Sequence, residues 1–430
     1  MIIKVKPSIL QGNISVPPSK SYTHRAIILG SLCEGTSKII NPLLSQDTIA
    51  TINACRFFGV SITQNNEIII KGKLPLKVPD DVINVENSGT TLRLMSSVAA
   101  LTSKGFSILT GDNSIRQRPM QPLLDTLQTL GVRCWSLKLN GFAPLIIEGG
   151  GICGGSSSIL GSISSQFISS LLISTPLANQ ETSIKIQGAI VSRPYIDATL
   201  KIIERFGGKI NENGLGSFKI TPLQKYNPIS FKVPGDFSSA SFILAGGALT
   251  QGDVSITGLD FSLPQGDAAI IDILKDMGVN VSVDLENGIV GIKGAEHLNG
   301  GEFNLSDTPD LLPVVALLAC KCQDEVIISG VKHARFKETD RISVLVEELP
   351  KLGVSVIEKE DGLTIIGTEK LKQCTLNTHG DHRMALAFTI AGMISANGCL
   401  IDGFESVAVS YPGFKEDIHL LGGKLEPVDN

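Results

Sequence analysis

Cationic side chains stand where this chain is set to begin helices. Six apolar segments open on Pro18-Ser19-Lys20-Ser21, Asn87-Ser88-Gly89-Thr90-Thr91, Ser164-Ser165-Gln166, Asp236-Phe237-Ser238-Ser239, Asp307-Thr308-Pro309-Asp310 and Gly380-Asp381-His382-Arg383. A Ser, Thr or Asp at each opening is what an N-cap requires. Capping does not explain Lys20, Arg25, Gln166 and Arg383 at these openings, or Arg93 slightly further in. A helix N-terminus already carries free N–H groups and the positive end of a dipole, so a cation beside it is disfavoured unless an anion joins them. Arg25, Arg93, Arg118, Arg193, Arg341 and Arg383, six of the eleven arginines, lie at these openings or in adjoining loops. Arginine grips phosphate and carboxylate through two parallel hydrogen bonds. The pattern predicts a face that binds anionic small molecules.

A second constellation adds acid–base chemistry. In RFKETDRI, residues 335–342, Lys337, Glu338, Asp340 and Arg341 alternate in sign. Alone, such a run reads as a solvated ion-pair face of a helix. Taken with Asp310 and the THGDHRM segment it becomes a candidate acid–base cluster, because close opposite charges shift one another's pKa. His379 and His382 lie three residues apart with no third His or Cys nearby in sequence, so metal ligation is not expected. The stretch EGGGICGGSSSILGSISSQF has a linker's composition, and no GK[ST] closes it into a nucleotide loop. Its place before an apolar helix predicts a turn feeding Ser164-Ser165-Gln166.

These openings must be held by regular elements, and the chain repeats itself to supply them. Six amphipathic runs end in similar phrases, among them ACRFFGVSI, TLQTLGVRC and ILKDMGVNV, at Gly59, Gly131, Gly207, Gly278, Gly353 and Gly422. The intervals are 72, 76, 71, 75 and 69 residues. Each phrase reads as a helix ended by glycine and followed by a β-branched strand. The six apolar segments alternate with them, rich in Ala, Gly and Ser, as buried helices with close neighbours are. Each is followed by a short strand, so the unit is buried helix, strand, amphipathic helix, Gly, strands. Three units per domain give two α/β domains of about 200 residues. The seam falls near Tyr226–Phe231, and the first strand, Ile2–Lys6, is assigned by symmetry to the second domain. The predicted domains are residues 14–228, and 1–13 with 229–430.

Composition narrows the classes. With 42% hydrophobic residues among 430 the chain is not disordered, and a net charge of −5 with 5% aromatics argues against nucleic acid as a partner. No apolar run reaches the roughly 18–20 residues that span a bilayer, and MIIKVKPSILQG is too short an apolar start for a secretory signal. No membrane partner is expected. The eight cysteines include no CxxC pair and read as buried free thiols in a reducing cytoplasm.

PPSKSYTHRA, NSGTTLR, RQRPMQPLLDTL, SSQF, SRPYID, RFKETDRI, GDHRMA and SYPGF occur in that order. Together they resemble the motifs of the 5-enolpyruvylshikimate-3-phosphate synthases across practically the whole chain. The resemblance implies two inside-out α/β barrel-like domains, each of three βαβαββ units about a pseudo-threefold axis. It implies transfer of enolpyruvyl from phosphoenolpyruvate to the 5-hydroxyl of shikimate 3-phosphate in a cleft between the domains, with phosphate released. Lys20, Ser21, Arg25, Ser164, Ser165, Gln166, Ser192, Asp310, His333 and Lys337 would bind shikimate 3-phosphate. Lys20, Gly89, Arg118, Gln166, Arg341 and Arg383 would bind phosphoenolpyruvate. Asp310 is the implied base, and Glu338, assisted by Lys20, the implied proton carrier at the methylene carbon. No cofactor or metal is needed, and the enzyme is expected to be a cytoplasmic monomer. Two positions depart from the pattern. Val409 stands where many members have Lys, and His333 where many bacterial members have Asn, which predicts a pH-dependent charge there. The related transferase that acts on UDP-N-acetylglucosamine usually carries a reactive Cys in the loop that here reads GDNSIRQRP, and no Cys lies between Cys55 and Cys134. A non-catalytic anion-binding scaffold would not need acids at Asp310, Glu338 and Asp381.

Overall fold

Each of the six recurring glycines takes a positive φ, between 81° and 94°. That left-handed conformation is open to glycine and ends the preceding helix, turning the chain into the next strand. The computed structural model describes residues 1–428. Its buried helices are α1 (Lys20–Ser31), α3 (Gly89–Ala99), α5 (Ser165–Ser174), α7 (Phe237–Leu249), α9 (Leu312–Ala319) and α11 (His382–Ile394). The helices that lead to the glycines are α2 (Gln46–Phe57), α4 (Gln121–Thr129), α6 (Arg193–Arg205), α8 (Ile270–Asp276), α10 (Arg341–Glu348) and α12 (Phe414–Leu420). No helix of the described residues is long and apolar enough to cross a membrane.

The buried helices are made of small residues because their neighbours are close. Every residue of α7 and of α9 is buried. A Cβ at Gly246 would stand 2.8 Å from the Leu10 side chain and 3.1 Å from that of Ile390, so α7 and α11 pack to contact only because glycine is there. Between α3 and α5 the close approach uses serines. Ser97 Oγ lies 2.6 Å from Ser170 Oγ and 2.9 Å from Ser174 Oγ. Pairing these hydroxyls with one another removes the penalty of burying them. Within the buried helices of both units, side chains such as Leu171, Phe242, Leu317 and Phe388 each contribute about 1.5–3 kcal/mol by leaving water.

Six four-stranded sheets cover the helices. Each has a parallel pair at one edge followed by two antiparallel strands. Gly155–Leu160, for example, runs parallel to Thr182–Gln187, followed by Ser217–Ile220 and Asn211–Glu212. The linker-like Gly/Ser stretch therefore contains a six-residue strand. In two sheets the parallel partners come from distant parts of the chain. Gln11–Ser15 pairs with Asp253–Thr257, and Ser230–Lys232 pairs with Gly35–Ile40. Ile2–Lys6 lies antiparallel between Cys399–Asp402 and Lys424–Pro427.

Two compact units result, Pro18–Val233 and a discontinuous one of Met1–Pro17 with Pro234–Asn430. The chain changes unit at 17/18 and 233/234, four and five residues later than the boundaries read from the sequence. The difference lies in two strands. Register places all of Gln11–Ser15 in the discontinuous unit and Ser230–Lys232 in the other. The first segment is pinned by backbone contact, since a Cβ at Gly252 would overlap the carbonyl oxygen of Leu10. Gly252→Ala is expected to lower stability by about 2 kcal/mol or more, read as a shift in the urea midpoint. An unshifted midpoint would show that the segment is not held there.

Candidate active site

In the Pro18–Val233 unit the cations sit at the openings of α1, α3 and α5. Lys20, the first residue of α1, reaches Asp47 in the first turn of α2, with Nζ 2.9 Å from Oδ2. Arg25, one turn further along α1, is 2% exposed. Its guanidinium donates to Thr199 Oγ1 at 2.7 Å, Ser21 Oγ at 2.6 Å, the Ser21 carbonyl at 3.0 Å, Ser169 Oγ at 3.3 Å and the Tyr195 carbonyl at 3.2 Å. All five acceptors are neutral. Burial pushes its pKa down to about 10, so the charge persists at neutral pH without a carboxylate against it.

Arg93 bridges α3 to the start of α5, donating to Gln166 Oε1 at 2.8 Å, with Phe167 beneath its guanidinium at 5.4 Å. Gln166 in turn donates to Thr90 Oγ1 at 3.0 Å. Ser164 caps α5 by accepting from Gln166 N, and Ser165 is buried beside it. Arg118 donates to Asn87 Oδ1 at 3.3 Å and Ser114 Oγ at 3.2 Å. It lies against Gly89 so closely that a Cβ there would overlap a guanidinium nitrogen. Ser192 is buried in the left-handed conformation, φ 55°, immediately before α6.

The discontinuous unit gathers Asp310, Lys337, Glu338, Arg341, Asp381 and Arg383. Asp310 lies in the short 3-10 turn Pro309–Leu311 ahead of α9. Its Oδ1 accepts from Arg341 at 2.8 Å and Lys337 at 3.3 Å, and its Oδ2 from Arg383 at 2.8 Å. Arg341 is 1% exposed and also reaches Glu338 Oε2 at 2.9 Å and Asp381 Oδ2 at 2.8 Å. Asp381 accepts from the Arg383 N–H at 2.8 Å, so it caps α11 and anchors Arg341 together. Burial pushes the Asp310 carboxyl up, but Arg383, Lys337 and Arg341 outweigh it and hold the group well below the usual carboxylate range. Burial lowers Lys337 from the ordinary lysine value.

The RFKETDRI run divides between two environments, since Arg341 is buried against Asp310 while Asp340 caps α10 through Ser343 N and pairs with Arg335 at 2.8 Å. Two expectations are corrected. Arg193 does not join the anion-binding group. It forks onto Glu212 at 2.6 and 2.7 Å and onto Asp197 at 2.8 Å. His333 does not change charge near neutrality, since burial, reinforced by Lys337, pushes it down to about 4. Val409 is buried at the end of the 3-10 turn Phe404–Val409.

Other members were not foreseen. Asp47 reads in sequence only as an acid in a first helical turn, and Thr199 and Ser169 only as small helix residues. Asp267 carries no signal in the sequence at all. It is 3% exposed, accepts from Ser238 Oγ, and is raised to about 6 by burial and then by the charge of Asp310. The three cations Lys337, Arg341 and Arg383 are already matched by three carboxylates, Asp310, Glu338 and Asp381. A fourth negative charge is therefore resisted.

A carboxyl raised on folding contributes stability below its unfolded pKa, near 3.9, and loses it as pH rises through the folded value of about 6. Asp267→Asn should flatten that fall and stabilise the protein by roughly 2 kcal/mol at pH 7. Thermal midpoints between pH 4 and 7 measure it, and an unaltered slope would refute the assignment.

Comparison with known proteins places this arrangement. The family described as EPSP synthase (3-phosphoshikimate 1-carboxyvinyltransferase) matches residues 5–418. A 3-phosphoshikimate 1-carboxyvinyltransferase of Methanocella arvoryzae is 46% identical over 428 residues, covering 99% of this chain and 100% of that protein. Its counterpart in Methanocaldococcus jannaschii is 44% identical over 429 residues, 99% of each chain. Among solved structures an EPSP synthase of Acinetobacter baumannii superposes with a TM-score of 0.81 at 28% identity, covering 99% of this chain and 100% of that one. The repeated units, the inside-out α/β architecture and these matches agree: the chain belongs to the EPSP synthase family.

Proposed function

We propose that this enzyme transfers the enolpyruvyl group of phosphoenolpyruvate to the 5-hydroxyl of shikimate 3-phosphate, releasing phosphate and forming 5-enolpyruvylshikimate 3-phosphate. The observation that carries the reading is Arg25, a buried guanidinium whose hydrogen bonds all end on neutral oxygens. Its charge calls for an anion. Ser21 Oγ accepts from Arg25, which leaves the serine hydrogen to donate to a phosphate or carboxylate. In this reading Lys20, Ser21, Arg25, Ser164, Ser165, Gln166, Ser192, His333 and Lys337 hold shikimate 3-phosphate. Lys20, Gly89, Arg118, Gln166, Arg341 and Arg383 hold phosphoenolpyruvate. A neutral His333 donates a hydrogen bond and carries no charge to the substrate.

Asp310 takes the proton of the 5-hydroxyl as that oxygen attacks C2 of phosphoenolpyruvate. Without substrate it is a weak base, because three cations lean on it. Anionic substrates draw those cations away, and Asp310 grows more basic with every cation that turns from it. Glu338, with Lys20 assisting, gives a proton to the methylene carbon. The tetrahedral intermediate then returns a proton from the new methyl group to the Glu338 carboxylate as the C2–oxygen bond to phosphate breaks. Arginines fixed before the reaction stabilise the charge that moves onto the departing phosphate. A cytoplasmic monomer is part of the same proposal, and the eight free cysteines suit a reducing compartment.

Asp310→Asn should leave both substrates binding and lower turnover by about 10²–10⁴-fold. Near-normal turnover would remove the base role. Acceptor choice tests the reaction itself. Phosphate release from phosphoenolpyruvate is expected with shikimate 3-phosphate and not with UDP-N-acetylglucosamine, and the reverse result would reject the proposal.

A further inference from the structure

Away from these groups, the discontinuous unit holds two thiols in register. The strands Thr375–Asn377 and Cys399–Asp402 run parallel, with Thr375 opposite Leu400. The Leu400 N–H donates to the Cys374 carbonyl at 3.0 Å, so one residue back Cys374 stands beside Cys399. Their Sγ atoms are 3.9 Å apart. Neighbouring strands lie about 4.7–4.9 Å apart, within the Cα separation of roughly 4.4–6.8 Å that a disulfide bridges. Closing the sulfurs to about 2.0 Å is a matter of side-chain rotation and small adjustment.

Cys399 also differs chemically from the buried cysteines elsewhere in the chain. Burial pushes the thiol of Cys33 up to about 11, and those of Cys55, Cys134, Cys320 and Cys322 up to about 12. Cys399 goes the other way, because the Cys374 thiol donates a hydrogen bond to it, and Cys374, as the donor, is held well above the usual thiol range. Cys399 is buried and Cys374 half-buried, so reagents reach the pair through Cys374. The two cysteines are 25 positions apart, and between them run the Thr378–Asp381 turn and all of α11.

We propose that Cys374 and Cys399 form a dithiol site that small-molecule disulfides oxidise to an intrachain disulfide, fastening the segment that carries Asp381 and Arg383. The Cys374 sulfur attacks one sulfur of the reagent, forming a mixed disulfide and releasing one thiolate, which takes the Cys374 proton. The Cys399 sulfur then attacks the Cys374 sulfur, forming the internal bond and releasing the second thiolate, which takes the Cys399 proton. Two cysteine thiols lose two electrons in all, and one reagent disulfide becomes two thiols.

The full chain is incubated with excess glutathione disulfide, and its thiols are counted after denaturation. Exposed Cys153 takes glutathione as a mixed disulfide, and two of the remaining seven thiols are expected to disappear with it, with a proteolytic peptide joining Cys374 to Cys399 and full recovery in dithiothreitol. Cys374→Ser and, separately, Cys399→Ala should each abolish the internal bond. Closing this loop should raise the thermal midpoint by roughly 5 °C or more in the oxidised protein. Seven or eight thiols still titrating, a bond to another cysteine, a mixed disulfide that persists at Cys374, or an unmoved midpoint would each overturn the proposal.

Discussion

Positive charge taken out of water must be matched, and Arg25 is matched differently from the cations of the discontinuous unit before any substrate arrives. In the discontinuous unit Asp310 receives Lys337, Arg341 and Arg383 within 3.3 Å, and Arg341 is shared with Glu338 and Asp381. A buried ionic group of this kind adds little net stability. Removing one member, however, leaves another uncompensated at a cost of several kcal/mol. The carboxylates are thus stand-ins for anions, and two of them, Asp310 and Glu338, are also the groups proposed to move protons. In the Pro18–Val233 unit Arg25 is matched by serine, threonine and carbonyl oxygens instead. Neutral oxygens can hold a guanidinium without cancelling its charge, and an incoming anion then competes with no carboxylate.

Six copies of one element carry these different solutions. Every buried helix begins by presenting free N–H groups, and in α3, α5 and α11 a side chain fills part of that need, Ser88, Ser164 and Asp381 respectively. At the start of α7 the nearby groups are Asp236, Ser238 and Asp267, an acidic set that suits the dipole without help. At α1 and α11 a cation stands in the first turn. The repeat supplies the same positive helix end each time, and a few side chains decide whether it is capped or left for a ligand.

Much of this was legible because glycine and helix periodicity are local signals. The spacing of Gly59, Gly131, Gly207, Gly278, Gly353 and Gly422 marked the six units, and all six adopt the left-handed turn that the pattern required. The cations at helix openings were legible because they contradict the helix dipole. Partners distant in sequence were not. Arg25 and Thr199 meet across 174 positions, and Arg383 and Asp310 across 73. Nothing local to Thr199 or Asp267 distinguishes it from an ordinary core or loop residue. Ser230–Lys232 is too short to show its partner, which lies about 190 residues earlier. The titration of His333 lies well below neutrality because burial, which sequence does not report, outweighs residue type.

The interleaved strands also set an order of events at the ribosome. Pro18–Val233 is a continuous stretch and has all its strands once residue 233 has been made. Ile2–Lys6 is synthesised long before its partners at Cys399–Asp402 and Lys424–Pro427. At about 5–20 residues per second the first strand waits on the order of 20–80 seconds with its backbone unpaired. Ile3 and Val5, on its apolar face, alternate with Lys4 and Lys6 on the other. The two lysines put charge along that waiting edge, which discourages it from pairing with a neighbouring nascent chain.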